Sequence, residues 1–317
     1  MPELGFALSS EDHPPNELVR QAALAEQAGF TFALISDHFH PWVDAQGHSP
    51  FVWSTLGGIA QATERIRVGT GVTCPLIRIH PAIVAQAAAT VACMMPGRFF
   101  LGVGTGENLN EHVTGERWPL PFERLEMLEE AVELIRALWS GEEITHRGRH
   151  YTAPEARLYT VPAEPPEIFV AAAQPEAAQL AGRIGDGLIS TAPDEELVST
   201  FDAAAGAERQ KIGMIHVAYD EDAEAGHERA RRLWPNLALA GSGGQELPAP
   251  RDFESSAANV TVEDVAEQTP AGPDPEPYLE LIGRYAEAGF THVYVHQIGE
   301  NQDAFAEFAS RELLPNV

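Results

Sequence analysis

The chain is almost without lysine. Lys211 is its only one in 317 residues, every other basic residue is arginine, and acids outnumber bases 47 to 20, giving a formal net charge of −27 at pH 7. A field of that sign repels phosphate backbones and anionic bilayers, so neither nucleic acid nor membrane is expected as a partner. Such acid-rich, lysine-poor composition is similar to that of proteins from salt-loving organisms, where dissolved ions screen the self-repulsion. Cysteine is scarce too. Cys74 and Cys93 are the only two. They fall in a strand end and a helix, which argues against a disulfide framework, gives no zinc spacing and points to a reducing, cytoplasmic setting. No apolar run approaches the ~18 residues of a bilayer span. The opening Met-Pro-Glu-Leu-Gly-Phe is too short and too acidic for a signal peptide. No metal-ligand constellation is legible.

What the chain does have is alternation. Apolar strand-like runs at 4–8, 30–35, 66–72, 98–103, 168–172, 187–190, 212–218 and 293–296 alternate with helical patterns at 16–28, 50–63, 80–94, 122–139, 176–184, 195–204, 223–234, 277–288 and 302–313. Repeated strand–helix units predict a parallel sheet, and eight of them an α/β fold of the (β/α)8 type, one barrel over 1–317. Three stretches interrupt the repeat: a loop at 37–50, a short antiparallel excursion at 141–166, and residues 236–276, rich in Gly, Pro, Ser and acid. The last is too long for an ordinary connection and is expected to cover the barrel mouth.

Chemistry-bearing residues collect just past strand ends, where parallel α/β proteins bind ligands. Ser-Asp-His-Phe-His-Pro-Trp at 36–42 follows strand two. His38, beside Asp37, is a candidate proton acceptor near neutral pH, with His40 as its competitor. Pro41 stiffens the chain ahead of Trp42, whose indole can wall a pocket and donate one N–H. Gly102, Gly104 and Gly106 alternate through strand four and its exit; the run lacks the Gly-x-Gly-x-x-Gly dinucleotide pattern, so no NAD site is inferred. Glu107 follows as a candidate proton donor or electrostatic partner. Gly69 and Gly71 suggest unusual backbone beside a ligand. Ala171, Ala172, Ala173 and Gln174 leave little bulk ahead of a helix N-terminus, which suits a phosphate.

Taken together these strings resemble the coenzyme F420-dependent branch of the bacterial luciferase-like family, in particular its glucose-6-phosphate and secondary alcohol dehydrogenases. Ser36 to Trp42, Gly69 to Val72, Arg98 to Asn110, Leu138 to Gly141 and Ala181 to Gly187 fall in order along nearly the whole chain. The resemblance implies a luciferase-like TIM barrel with insertions, a homodimer, and a small-molecule alcohol or carbonyl substrate exchanging hydride with F420. It implies His38 as base, Trp42 holding the developing oxyanion, and Glu107 as proton donor. The cofactor would touch Asp37, Cys74, Thr105, Gly106 and Asn110, rest on a cis peptide at Gly71-Val72, and place its phosphate tail on Ala171 to Gln174. One departure bears on substrate. Where the sugar-phosphate enzymes use lysines, this chain reads Thr191-Ala-Pro-Asp-Glu-Glu196 and Val265-Ala-Glu267. A dianionic phosphate would meet repulsion there, so a neutral alcohol, polyol or sugar is expected. The alternatives are an FMN-dependent luciferase-like monooxygenase and a barrel that merely binds a flavin-like ligand.

Overall fold

Ten strands organise the computed structural model, which describes residues 1–239 and 242–317. They are β1 (Glu3–Leu8), β2 (Phe32–Ile35), β3 (Arg67–Thr70), β4 (Phe99–Val103), β5 (Ile144–Arg147), β6 (Thr152–Ala156), β7 (Ile168–Ala171), β8 (Gly187–Ser190), β9 (Gln210–Val217) and β10 (His292–Gln297). Eight of these close a barrel in the order β1-β2-β3-β4-β7-β8-β9-β10, every pairing parallel. The fold is a (β/α)8 TIM barrel. β5 and β6 form a separate antiparallel hairpin in the 141–166 stretch. The strands sit where the apolar runs place them, with ends moved by one or two residues. Among the described residues no helix is long and apolar enough to cross a membrane.

Side-chain alternation divides the core into two layers. Phe32, Leu34, Phe100, Phe169, Ile189, Ile212 and Tyr294 point inward and fill the barrel, with Val72, Ala171 and Met214 packed against them. The opposite faces of the same strands bury Phe6, Ile35, Val68, Leu101, Val170 and Val295 against the surrounding helices. Because Val72, Ala171 and Met214 stay partly exposed, the inner plug ends in an apolar floor at the C-terminal mouth.

Three departures from the sequence pattern shape that mouth. The helix expected at 302–313 is an α-helix only over Gln302–Phe308 and widens to a π turn over Ala309–Leu313. A short helix, Asn108–Glu111, follows Glu107 directly, too short for periodicity to mark. The 236–276 stretch contains the helices Pro250–Ser256 and Val262–Ala266 and packs on the rim: Phe253 is buried with Val43 and Leu109, and Val265 with Trp234 and Ile298.

β3 and β4 approach unusually closely near the mouth. The Thr70 hydroxyl donates to the Gly102 carbonyl (2.7 Å) and accepts from its N–H (3.1 Å), and a Cβ at Gly102 would strike the Thr70 carbonyl. Gly102→Ala must push these strands apart and is expected to cost about 1–3 kcal/mol of stability. Urea denaturation of the variant checks this, and an unchanged midpoint contradicts it.

Candidate active site

The mouth is assembled from loops that follow β1, β2, β3 and β4, and one buried cation joins three of them. Arg78 donates to Asp37 Oδ1 (2.8 Å) and approaches Glu111 Oε1 at 3.4 Å, while its backbone N–H donates to Glu111 Oε2 (2.7 Å). The other Asp37 oxygen accepts from the Thr73 hydroxyl (2.8 Å). Both Asp37 oxygens are therefore engaged within the protein. Burial pushes the Glu111 carboxyl up despite the guanidinium beside it, and Asp37 is the closer of the two side-chain partners of Arg78.

Asn110 carries the brace onward. Its side-chain oxygen accepts from the N–H groups of Phe39 (2.9 Å) and His40 (3.2 Å), and its amide donates to Glu107 Oε2 (3.3 Å). One side chain thus fixes the loop bearing the candidate base and the candidate acid together. Beneath them the Gly71–Val72 peptide is cis. Gly104 lies against Val72 and Ala171, so close that a Cβ there would come within 2.8 Å of Val72. Gly106 turns with φ +72° over the buried Cys74 thiol, whose pKa burial pushes up. Thr105 and Glu107 are partly exposed, Ala172 is buried, and Ala173 and Gln174 are exposed ahead of the helix Pro175–Ile184, which has no side-chain cap.

His38 and His40, the two candidate bases, are held alike at Nδ1. A carbonyl can only accept, so His40 Nδ1 carries the proton that meets Leu109 O (2.9 Å), and its ring stacks on His112. His38 Nδ1 likewise faces the His40 carbonyl (3.2 Å), which leaves Nε2 as the basic nitrogen of the neutral ring. That nitrogen lies 3.4 Å from Glu11 Oε1, and the Trp42 ring stands 5.0 Å from the imidazole. Trp42 in turn packs edge-on against Phe253 of the covering stretch.

Glu11 is the main residue the sequence pattern did not single out. It is 2% exposed, and Oε2 accepts from Ser36 (2.6 Å) and Ser9 (3.1 Å). The signal was the polar run Ser9-Ser10-Glu11-Asp12-His13 directly after strand one, a strand exit like the others. Asp12, His216, His296 and Trp234 were also missed; they form a second cluster described below.

A family model described as luciferase-like monooxygenase matches residues 2–292. The chain belongs to the luciferase-like family. It is 39% identical to the F420-dependent glucose-6-phosphate dehydrogenase of Nocardia farcinica, over 99% of this chain and 98% of that one. The enzyme of the same name from Beutenbergia cavernae is also 39% identical, over 100% and 98% of the two chains. Among solved structures, an F420-dependent secondary alcohol dehydrogenase in complex with an F420–acetone adduct superposes with a TM-score of 0.90 at 30% identity, covering 98% of both chains. The family resemblance carried by Ser36 to Trp42 and Arg98 to Asn110 is thus matched end to end.

Within this luciferase-like barrel several imidazoles are buried in neutral form. Burial lowers the pKa of His13, His216 and His292 below the ordinary 6.5. A base whose folded pKa is depressed contributes stability above its unfolded value and loses it as the pH falls toward the folded one. Urea midpoints measured from about pH 8 to about pH 5 should therefore fall below about pH 6.5. A flat profile over that range contradicts the placement of these rings.

Proposed function

We propose that this chain is an F420-dependent dehydrogenase acting on a neutral secondary alcohol, polyol or unphosphorylated sugar. The observation that carries the reading is His38, its Nδ1 tied to a carbonyl and its Nε2 beside the buried Glu11 carboxylate. A group so held takes a proton at Nε2, and the carboxylate 3.4 Å away stabilises the imidazolium that results. The apolar floor of Val72, Ala171 and Met214, bordered by Thr105 and by small residues to Ala173, would hold the ring, with its tail running toward the helix at Pro175. Bound F420 would supply a two-electron acceptor for the substrate hydride. The chain's own residues supply the rest: His38 removes the hydroxyl proton, Trp42 walls the substrate and offers its N–H, and Glu107 stands at the other rim. The covering stretch, seated on Trp42 through Phe253, limits water.

Phosphate is disfavoured by where the charges lie, although the relatives named above bear the name of a sugar-phosphate enzyme. Asp194 caps the helix Glu195–Ala205 by accepting from the Leu197 N–H (3.0 Å). Glu267 follows Val262–Ala266. Lys211 is spent at the N-terminal end of β9, buried against Asp202 (2.8 Å) and the Ala207 carbonyl (3.0 Å). No lysine ammonium is therefore available at the mouth.

The test is loss of F420 absorbance on adding 2-propanol, glycerol, glucose or glucose-6-phosphate to the purified protein. Turnover of the neutral alcohols is expected. Turnover of the phosphate ester alone overturns the substrate class, and FMN copurifying with oxygen consumption favours a monooxygenase. His38→Ala should cut turnover about 10²–10⁴-fold while F420 binding, read by fluorescence titration, is retained; normal turnover contradicts the base assignment.

We place this activity in a cytoplasmic homodimer adapted to salt. The net charge of −27 supports the last point, because added salt screens self-repulsion. The melting temperature should rise between about 0.05 M and about 1 M NaCl as the Debye length shrinks, and a fall or no change contradicts salt adaptation.

A further inference from the structure

A second polar cluster sits at the mouth beside the His38–Glu11 pair, built on β9 and β10 and on Asp12, the residue after Glu11. β9 and β10 run side by side with His216 paired to His296, directly above Met214 paired to Tyr294. Ile212, Met214 and Tyr294 belong to the inward-facing layer, so the period-two alternation of a strand turns both histidines inward at the top of the barrel. Their Nδ1 atoms are 2.8 Å apart. On its far side His296 Nε2 meets Asp12 Oδ2 at 3.3 Å, and both Asp12 oxygens accept from the Trp234 indole N–H at 3.0 Å. The Trp234 ring packs on both imidazoles, 5.5 Å from His216 and 4.6 Å from His296.

One proton order that satisfies every contact in the cluster starts from the Asp12 carboxylate. A carboxylate only accepts, so His296 carries its proton on Nε2 and presents a bare Nδ1. His216 must then donate from Nδ1, which leaves its Nε2 as a bare acceptor. That atom has no hydrogen-bond partner among the described residues, and the ring remains partly exposed. A lone pair held at the mouth of a buried site by a three-residue relay selects a ligand that donates a hydrogen bond. It is of no use to a phosphate oxygen.

We propose that His216 binds a second hydroxyl of the substrate, held as an acceptor by the positioning residues His296 and Asp12, so that the preferred substrates are polyols or sugars rather than simple alcohols. This rests on the dehydrogenase reading and narrows it. A substrate hydroxyl on His216 gives the substrate a second anchor besides His38, and a mono-alcohol leaves that acceptor unpaired.

The test compares 1,2-propanediol with 2-propanol, a pair differing by one hydroxyl, in wild type, His216→Phe and His216→Gln. The ratio of kcat/KM for the diol over the mono-alcohol should exceed one in wild type and fall about tenfold in His216→Phe. His216→Gln keeps an acceptor oxygen and should retain more of the preference, which also covers the case of a phenylalanine variant that does not fold. An equal loss for both alcohols, or an unchanged ratio, overturns the proposal. A second readout needs neither turnover nor F420: 15N NMR of histidine-labelled protein. It should find His216 neutral, with Nε2 unprotonated and its resonance moving on titration with glycerol. An Nε2-protonated ring, or no response to glycerol, overturns the proposal. If wild type oxidises none of 2-propanol, 1,2-propanediol, glycerol and glucose with F420, the dehydrogenase reading fails and the NMR result decides on His216 by itself.

Discussion

Arg78 is the side chain on which the mouth depends. It lies in the loop after β3, pairs with Asp37 from the loop after β2, and holds Glu111 from the segment after β4. A guanidinium taken out of water must be fully partnered, and removing one member of such a buried set typically costs about 3–5 kcal/mol. The planar fork lets one cation meet two carboxylates from different segments. Everything that carries chemistry hangs from this brace. Asp37 precedes His38, Thr73 follows the Gly71–Val72 peptide, and Asn110 precedes Glu111 while holding the backbone of Phe39 and His40. The loop bearing the candidate base is thus built from buried polar groups rather than from barrel packing.

Trp42 is the second joint. It touches the His38 ring on one side and Phe253 on the other, and it packs partly against both apolar clusters beneath the covering stretch. The residue proposed to wall the substrate is therefore also the residue on which the cover rests. Closure of the mouth and placement of the base are mechanically linked through one indole. The dryness that direct hydride transfer requires and the position of the base then arise from the same contacts.

The barrel was legible because its signals are local and repeated. Each strand is a short apolar run bounded by turn residues, and the strand-end rule singled out His38, Trp42, Glu107 and the small residues at 171–173, which lie at or past the ends of β2, β4 and β7. Relations across the mouth were not legible. Nothing in spacing links Glu11 to His38, since they are joined only when β1 and β2 pair in register. Nor does anything link Asp12, Trp234 and His296, which lie 222 and 284 residues apart from Asp12 along the chain. The Leu109 carbonyl that holds the His40 ring likewise comes from a helix of one turn that periodicity does not detect. The strand-exit rule, applied to β1, β9 and β10 as strictly as to β2 and β4, would have named Glu11, His216 and His296.

The central claim is that a neutral alcohol, held over the apolar floor with His38 taking its hydroxyl proton, passes its carbinol hydrogen directly to F420. Oxidation of 2-deuterated 2-propanol in ordinary water, followed by mass spectrometry of the reduced cofactor, tests this most directly. Deuterium retained in the reduced cofactor is the predicted result; deuterium released to water, with an unlabelled cofactor, would contradict it.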